Sequence, residues 1–353
     1  MAIDILAAGC VTPIGFSLDE TAAAARGRVA RLREIDWLDR RFEPYIVGTV
    51  LDDGLPALAD DLVTHSLQAR EVRMLRMAHA ALADALQALP EDCGPLPLLL
   101  GLPEHHTTCP LDPAAFLARL VTQSGAPIAL ARSVAVARGR AAGLMALRQA
   151  AARLASGEAE YVLIGGVDSL IDLYVLGTLD LEGRIRNAIN GDGFSPGEGA
   201  CFLLLGDPVR RGTMKPLATI TACASSHEPG HLYADTPYLG DGLAAAVGEL
   251  LEATQSAAPI ACTYASFNGE RYWAREFGVA RIRNAARFAD SMQMEHPAEC
   301  FGDLGAAHGP VLAALAAHGL AGGYRPAPCL VYASSDRGDR AAMLLDPAPQ
   351  PAG

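Results

Sequence analysis

The stretch Gly191-Asp-Gly-Phe-Ser-Pro-Gly-Glu-Gly-Ala-Cys-Phe-Leu-Leu-Leu205 joins a glycine-rich turn to an apolar run. The apolar run is typical of a buried strand. The glycines before it allow positive φ and a close approach between backbones. A second strand-like segment, Tyr161-Val-Leu-Ile-Gly-Gly-Val-Asp-Ser169, lies upstream and also contains paired glycines. These junctions predict a core in which sheets and helices meet closely, and they shape that core without performing chemistry themselves.

Working outward, short apolar runs alternate with Ala- and Leu-rich stretches, which is typical of a layered α/β fold. The order of elements occurs twice. We predict strands at 3–8, 96–100, 161–164 and 201–205 with a helix at 141–154 in the first half. The second half repeats them at 217–223, 260–265, 329–333 and 342–345, with a helix at 306–317. Charge, Gly212 and Pro216 interrupt the pattern, so we predict two βαβαβαββ halves, 1–213 and 214–353.

The composition excludes several classes of protein. Of the 353 residues, 51% are hydrophobic and 19% charged, so the chain can bury a large core. The net charge of −12 argues against a protein that binds nucleic acid or an anionic membrane. No apolar stretch reaches membrane-spanning length. The eight cysteines form no C-x-x-C pair and lie mostly in apolar runs, which indicates reduced thiols and a cytoplasmic protein. Lys215 is the only lysine.

Five motifs, in order along nearly the whole chain, resemble those of β-ketoacyl-acyl-carrier-protein synthases in the thiolase superfamily. They are Val11-Thr-Pro-Ile-Gly15, 156–169, 191–205, 235–243 and Leu304-Gly-Ala-Ala307. The resemblance implies a thiolase-like fold, with two pseudo-repeated halves in a five-layer α-β-α-β-α sandwich. It also implies a dimer that joins edge to edge through a strand of the first half.

In the enzymes that the chain resembles, a cysteine at the start of a buried helix accepts the acyl group. The helix dipole favours its thiolate. Counting back without gaps from the paired glycines places Arg140 at this position, within Val136-Ala-Arg-Gly-Arg-Ala-Ala-Gly143. An arginine stays protonated and cannot attack a thioester. No cysteine occurs between Cys109 and Cys201, so a shift of register does not restore one.

Three further catalytic elements of the resembled family are altered. The first histidine position holds Asn268, or Phe267 if the register slips by one; an asparagine can donate to an oxyanion but cannot act as a base. The second histidine position holds Gly302, and Pro297 stands where a lysine is expected. The gating loop retains only Gly338. Four altered elements together predict the loss of condensing activity.

Arg138 and Arg140 have two interpretations. They form a salt-bridged plug in the vacated pocket, paired with Glu270 or Asp303, because a buried guanidinium needs a partner. Alternatively, they recognise an anion such as a carboxylate or a phosphopantetheine phosphate. The ligand-binding candidates are therefore Arg138, Arg140, Asn268 and Gly338.

A hydrolase-like pattern competes with this interpretation. Residues 193–197 match G-x-S-x-G around Ser195, followed by Asp235 or Asp241 and by His296 or His308 in hydrolase order. A nucleophile elbow requires a strand, a turn and then a helix, whereas a predicted strand follows Ser195. We therefore do not expect a serine hydrolase, although His308 remains a residual catalytic candidate.

His105, His106 and Cys109 form a compact cluster after the strand at 96–100. A zinc site here lacks a clear fourth ligand, and a loop beside a former substrate pocket explains the cluster equally well. We predict no metal and no cofactor. Cys109 is kept as a second residual catalytic candidate.

The leading functional hypothesis is a non-condensing ketosynthase-like protein that acts as a scaffold or binding partner. It pairs with an active ketosynthase as a chain-length factor does, or serves as an adaptor in a type VI secretion effector cassette. The alternative is an acyltransferase or β-ketoacyl synthase-type enzyme, or a thioester hydrolase or decarboxylase, whose altered active site acts on acyl thioesters. The expected partners are a second copy or a ketosynthase-like chain, with an acyl carrier protein or a secretion effector as a further partner.

Overall fold

The computed structural model describes residues 2–90, 93–105, 111–210, 212–254 and 258–349. Its strands are β1 Ile3–Val11, β2 Arg33–Leu38, β3 Pro44–Val47, β4 Leu98–Leu102, β5 Val134–Ala137, β6 Tyr161–Ser169, β7 Glu198–Gly206, β8 Ala218–His227, β9 Ile260–Ala265, β10 Phe288–Glu295, β11 Cys329–Ser334 and β12 Asp339–Asp346. Its helices are α1 Leu18–Arg26, α2 Asp60–Val63, α3 Ala69–Leu86, α4 Pro113–Ser124, α5 Ala142–Met145, α6 Leu147–Ser156, α7 Leu173–Leu181, α8 Asp241–Ala253, α9 Arg271–Arg283, α10 Ala298–Phe301 and α11 His308–Ala321. None of the described helices is both long and apolar enough to cross a membrane.

Two sets of five strands share one topology. The first set has the order β1-β7-β6-β4-β5 and the second the order β8-β12-β11-β9-β10. In each set the first two pairings are antiparallel and the next two are parallel. Three residue pairs between β1 and β8, beginning with Ile3 opposite Ile220, link the sets into one ten-stranded ladder. The predicted pseudo-repeat is confirmed, while the boundary at 213/214 stays a prediction.

Three apolar cores define five layers. The central core lies between the two strand sets and contains α6 and α11. A second core packs α3 and α4 on the outer face of the first set, and a third packs α8 and α9 on the second set. Because both faces of the first strand set are covered, every residue of β6 and of β7 is buried. The predicted α-β-α-β-α sandwich is confirmed.

The predicted helix at 141–154 is built in three pieces. A 3-10 turn, Gly139–Ala141, leads into α5, and α6 follows after Ala146. The second central helix starts in the same way, because the 3-10 turn Gly305–Ala307 precedes α11. The two starts touch: a Cβ on Gly309 would lie 2.6 Å from the carbonyl oxygen of Arg140. This contact brings the predicted site residues of both halves together.

Candidate functional site

Four segments converge where the two central helices begin. They are the turn at 139–141, the loop at 266–270 after β9, the segment at 302–305 before α11 and the loop at 335–338 between β11 and β12. The backbone N–H of Ala141 donates to Oγ of Ser335 at 2.9 Å, which ties the first helix start to the last loop. These segments carry the positions that the sequence singled out, so the structure places Arg140, Asn268, Gly302 and Gly338 in one region.

The Arg140 side chain fills the helix start and is ion-paired on both of its edges. The residue is 5% exposed. Its Nε donates to the two carboxylate oxygens of Asp303 at 3.0 and 2.8 Å, and Nη2 donates to Oδ2 at 2.5 Å. Its Nη1 donates to Oδ1 of Asp336 at 2.6 Å. The guanidinium carbon also lies 5.2 Å from the ring centroid of Trp273. Of the two partners expected for a plug, the structure supplies Asp303.

A second buried arginine completes the cluster. Arg184 is bidentate to Glu270, with both distances 2.8 Å, and its Nη1 donates to Oδ2 of Asp336 at 2.7 Å. Asp336 therefore bridges the guanidinium groups of Arg140 and Arg184. We call these five residues, Arg140, Arg184, Glu270, Asp303 and Asp336, the arginine plug.

The electrostatics of the plug favour fully ionised pairs. Burial alone would raise the pKa of Asp303, but the charge of Arg140 and its hydrogen bonds outweigh this effect and hold that pKa well below its usual value. The pKa of Asp336 is likewise lowered, since Arg140 and Arg184 outweigh the effect of burial. Burial also acts to lower the pKa of Arg140, yet the two aspartates raise it well above the ordinary range. Asp303, Asp336 and Arg140 therefore carry their charges at neutral pH.

Asn268 is part of this network and supplies no base. Its Nδ2 donates to Oδ2 of Asp303 at 2.8 Å and to Oε2 of Glu270 at 3.0 Å, while its Oδ1 accepts from the backbone N–H of Glu270 at 3.1 Å. Phe267, the residue at the alternative register, instead stacks on His296 with a centroid distance of 5.8 Å. Asn268 is therefore the residue that the fold aims at the site.

Gly302 and Gly338 occupy positions where only glycine fits without strain. Gly302 has φ +83°, and an added Cβ would lie 2.6 Å from the carbonyl oxygen of Ser195. Gly338 has φ +105°, and an added Cβ would overlap the ring of His227. Position 302, where the sequence comparison expects the second histidine, therefore has no room for a side chain without strain.

The other predicted residues lie around the plug or away from it. Arg138 points outward, with 54% of its side chain exposed, and pairs with Asp339 at 3.1 Å. His308 is fully buried; its Nδ1 lies 3.5 Å from Oδ1 of Asp303, and its Nε2 has no hydrogen-bond partner among the described residues. Pro297 precedes α10, and Lys215 is exposed just before β8.

The hydrolase pattern does not assemble into a triad. Strand β7 begins at Glu198, so no helix follows Ser195 and the context of a nucleophile elbow is absent. Asp241 pairs with Arg283 at 2.6 Å rather than with a histidine, and Asp235 lies in the loop before α8. His296 is engaged with the ring of Phe267.

The metal hypothesis rests on residues that the structure describes only in part. His106 and Cys109 lie outside the described residues, and His105 is the last residue before that gap. Within the described ranges, no group of three or more His, Cys, Asp or Glu side chains could hold a metal ion.

Beside the plug lies a cavity of about 40 Å³. The residues that line it include two members of the plug, Arg140 and Asp336, together with Arg70, Glu104, Asp168 and Phe194. At about 10–15 Å³ per water, it has room for roughly three water molecules and none for an acyl chain. Burial, and then the charge of Asp336, raise the pKa of Glu104 to about 8. Its carboxyl group accepts from the backbone N–H groups of Asp336 and Arg337, both at 3.2 Å, and so holds the loop at 335–338 against the cavity.

Sequence reasoning missed Arg184, Asp336 and Glu104. Asp336 lies inside the segment 335–340 that the sequence comparison relates to a gating loop. Four of the six residues in this segment are charged, and these charges could have indicated an ion-paired site. Arg184 and Glu104 follow α7 and β4 with no distinctive spacing around them. They become visible only when the fold brings the loops together.

The repeated halves, the five layers and the paired helix starts define the thiolase-like fold of ketosynthases and chain length factors. A point mutant of the ketosynthase from module 6 of the bacillaene synthase of Bacillus subtilis 168 has a TM-score of 0.81 with 14% identity, covering 100% of this chain and 73% of its own. The ketosynthase ApeO in complex with its chain length factor ApeC, from Xenorhabdus doucetiae, has a TM-score of 0.75 with 17% identity, covering 98% of each chain. A complex of a type II polyketide synthase acyl-carrier protein with its ketosynthase has a TM-score of 0.77 with 17% identity, covering 98% of this chain and 99% of the other. No protein-family model matches the sequence, and no curated protein matches it.

Proposed function

We propose that this protein is a non-condensing member of the ketosynthase fold that pairs with a ketosynthase-like chain, in the way that a chain-length factor does. The observation that carries the proposal is the position of Arg140. A guanidinium, 5% exposed and paired with two aspartates, occupies the start of the central helix, where condensing enzymes need a thiolate.

The region around Arg140 lacks the groups that each step of a condensation requires. Acyl transfer needs a nucleophile, and arginine has no lone pair to offer at neutral pH. Proton transfer needs a base, whereas the amide of Asn268 is already hydrogen-bonded to Asp303 and Glu270. The cavity that Arg140 lines, about 40 Å³, is too small for an acyl chain. A larger pocket of about 350 Å³ is lined by Asn268 and Glu270, but Arg140 is not among its lining residues. A protein that binds a partner does not need any of these groups.

The first strand set has an edge that is suited to pairing with another chain. Among the described strands β5 pairs with β4 alone and forms one end of the sheet order. Leu130 and Val134 are exposed at this edge, and a pocket of about 180 Å³ opens between β5 and α5–α6. At the opposite end, β10 has a register shift and exposes Asp290 and Gln293, which are features that discourage pairing. The partner therefore adds at β5.

Two measurements test this proposal. The purified protein is incubated with acyl- and malonyl-thioesters, beside an active ketosynthase as the positive control, and its intact mass is recorded. We expect an unchanged mass and no turnover, and a covalent acyl adduct would contradict the proposal. Co-purification from the native host then identifies the partner: a ketosynthase-like chain with an acyl carrier protein supports pairing of the chain-length-factor type, whereas a secretion effector supports the adaptor role.

The edge itself is tested with Val134→Arg, which places a charge on β5. We expect this variant to lose the paired chain while keeping its thermal unfolding temperature. Val63→Arg is the matched control, because Val63 is also an exposed valine but lies on α2, far along the chain from β5. Retention of the paired chain by the Val134 variant would show that pairing uses another surface.

A further inference from the structure

Helix α7 is apolar on all of its sides and yet lies half at the surface. Its sequence is Leu-Tyr-Val-Leu-Gly-Thr-Leu-Asp-Leu, and its one charged residue, Asp180, is buried. Val175, Leu176 and Leu179 pack inward, whereas Leu173, Tyr174 and Leu181 are exposed. A helix that is apolar all round is ordinarily covered on every side. The outer face of α7 is therefore apolar but is not packed against any other described element.

The hairpin of β2 and β3 continues this exposed face. Tyr45 and Val47 pack in the same apolar cluster as α7. The backbone N–H of Arg40 donates to Oδ2 of Asp180 at 2.9 Å, and Nη1 of Arg41 donates to Oδ1 of Asn187 at 3.2 Å. The hairpin turn is therefore fixed against the end of α7 and the loop that follows it. We call the exposed apolar residues of these segments the hairpin–α7 surface: Trp37, Leu38, Phe42, Ile46, Leu173, Tyr174, Leu181 and Ile189.

The size of the hairpin–α7 surface sets it apart from ordinary surface. Its side chains are 40–83% exposed, and they make up eight of the sixteen large apolar residues that are exposed in the described chain. If each side chain exposes about 200 Å² when free, the eight exposed fractions amount to roughly 970 Å². Each partner in a stable protein–protein interface contributes about 800 Å², and the largest apolar patch of a monomer is about 300–600 Å². The surface is large enough for a specific partner.

The charges among these apolar residues identify the occupant. Four exposed basic residues, Arg33, Arg40, Arg41 and Arg186, are interspersed with four exposed acidic ones, Glu34, Asp36, Glu43 and Glu182. The exposed charges of these segments therefore balance, in a chain whose net charge is −12. An acidic partner or a nucleic acid would be matched by an excess of positive charge, which is absent from this set of residues. A balanced set of both signs is self-complementary, as a twofold contact between identical surfaces requires.

We propose that the hairpin–α7 surface binds a second copy of this chain through a twofold, isologous contact. This contact uses other residues than pairing at the β5 edge, so the two contacts can be changed by separate substitutions. Two copies that met at an average part of their surface would repel one another through their negative charge. At the hairpin–α7 surface the exposed charges of the two signs balance, which reduces this repulsion, and the exposed apolar side chains favour the contact through their burial.

The test measures the molar mass of the full-length chain by light scattering and by sedimentation velocity. Phe42→Asp and Leu181→Asp each place a charge within the surface, at positions 83% and 74% exposed in the free chain. Ile282→Asp on α9, at a position 77% exposed, is the matched control. We expect each surface variant to halve the mass of the wild-type assembly and the control to leave it unchanged. Circular dichroism confirms that all variants are folded.

The Val134→Arg change separates this proposal from pairing at β5. The double variant Val134→Arg with Leu181→Asp is expected at the mass of one chain, 36.9 kDa. A wild-type protein that is a single chain, surface variants that keep the wild-type mass, or a control variant that dissociates equally would each overturn the proposal. Loss of assembly only in the Val134 variant would overturn it too, while leaving the β5 edge intact as a pairing site.

Discussion

Replacing Arg140 with methionine tests the arginine plug most directly. Methionine fills a similar volume and removes only the charge and the hydrogen bonds. In the wild-type protein, Asp336 is shared between Arg140 and Arg184, so it keeps one cation after the change. Asp303 keeps hydrogen bonds from Asn268 and from the backbone of Gly305, but it loses its arginine.

The expected loss follows from this difference between the two aspartates. Removing one partner of a buried ion pair costs about 3–5 kcal/mol, because the other charge is left uncompensated. Since one aspartate retains a partner, we expect a value near the lower end, about 3 kcal/mol. Arg138→Met is the matched control: the Arg138 side chain is 54% exposed, and an exposed pair is worth about 0–1 kcal/mol.

Urea denaturation at pH 7 and at pH values stepped from about 4 down to about 2, the range in which the stabilising contribution of ionised Asp303 is lost, measures the free energies of unfolding. The lowered pKa of Asp303 contributes stability above the unfolded pKa of aspartate, about 3.9, and that contribution is lost as the pH falls through the lower folded pKa. The variant lacks this contribution, so the gap to the wild type should be largest at pH 7 and shrink in acid. Adding Asp303→Asn to Arg140→Met should recover part of the loss. Equal, small losses for Arg140→Met and Arg138→Met would refute the plug.

Two further predictions concern the residues around the plug. The folded pKa of Glu104, about 8, lies above the unfolded value of about 4.3, so its stabilising contribution is complete below the unfolded pKa and is lost as the pH rises through 8. Glu104→Gln should therefore flatten the fall of unfolding free energy between pH 5 and pH 9, and an unchanged slope in urea titrations would contradict this. Gly302→Ala should cost about 1–3 kcal/mol because of its positive φ and its contact with the Ser195 carbonyl; Gly191→Ala, with open space around it, should cost far less.

The sequence predicted the strands that are buried on both faces and missed those at the edges. Strands such as β9 and β11 are apolar except for Thr263 and Ser334, because the layers on both sides of the sheet favour apolar residues at buried positions. Strand β10 ends a sheet and carries Asp290, Gln293 and Glu295, so its sequence contains no comparable apolar run. Strand β5 has only four residues, and the β2–β3 hairpin is largely exposed. The hydrophobic pattern of a short segment therefore predicts strands that are buried on both faces, but it does not predict strands at the edge of a sheet.

Part of the site could be predicted for a different reason. The spacing of the motifs predicted Arg140 at the start of the helix. Because a buried guanidinium needs an acidic partner, the sequence also predicted that Asp303 or Glu270 would pair with it. Glu270, the other candidate, pairs with Arg184 instead. Which acid faces which arginine depends on loops from both halves meeting at a few ångströms, and no spacing along one chain contains that information.

The plug also explains why one substitution should not restore chemistry. Arg140→Cys places a thiol beside Asp303 and Asp336, two carboxylates that are buried and have lost a shared cation. Negative neighbours and burial both raise the pKa of a thiol, which is the opposite of what a thiolate nucleophile needs. We therefore expect no acyl adduct from acyl-thioesters at pH 7 by intact mass, and a reaction with iodoacetamide that accelerates only above about pH 8.5, the ordinary pKa of a free thiol. An adduct at neutral pH would show that the neighbouring carboxylates do not suppress a thiolate at this position, and would contradict this reasoning.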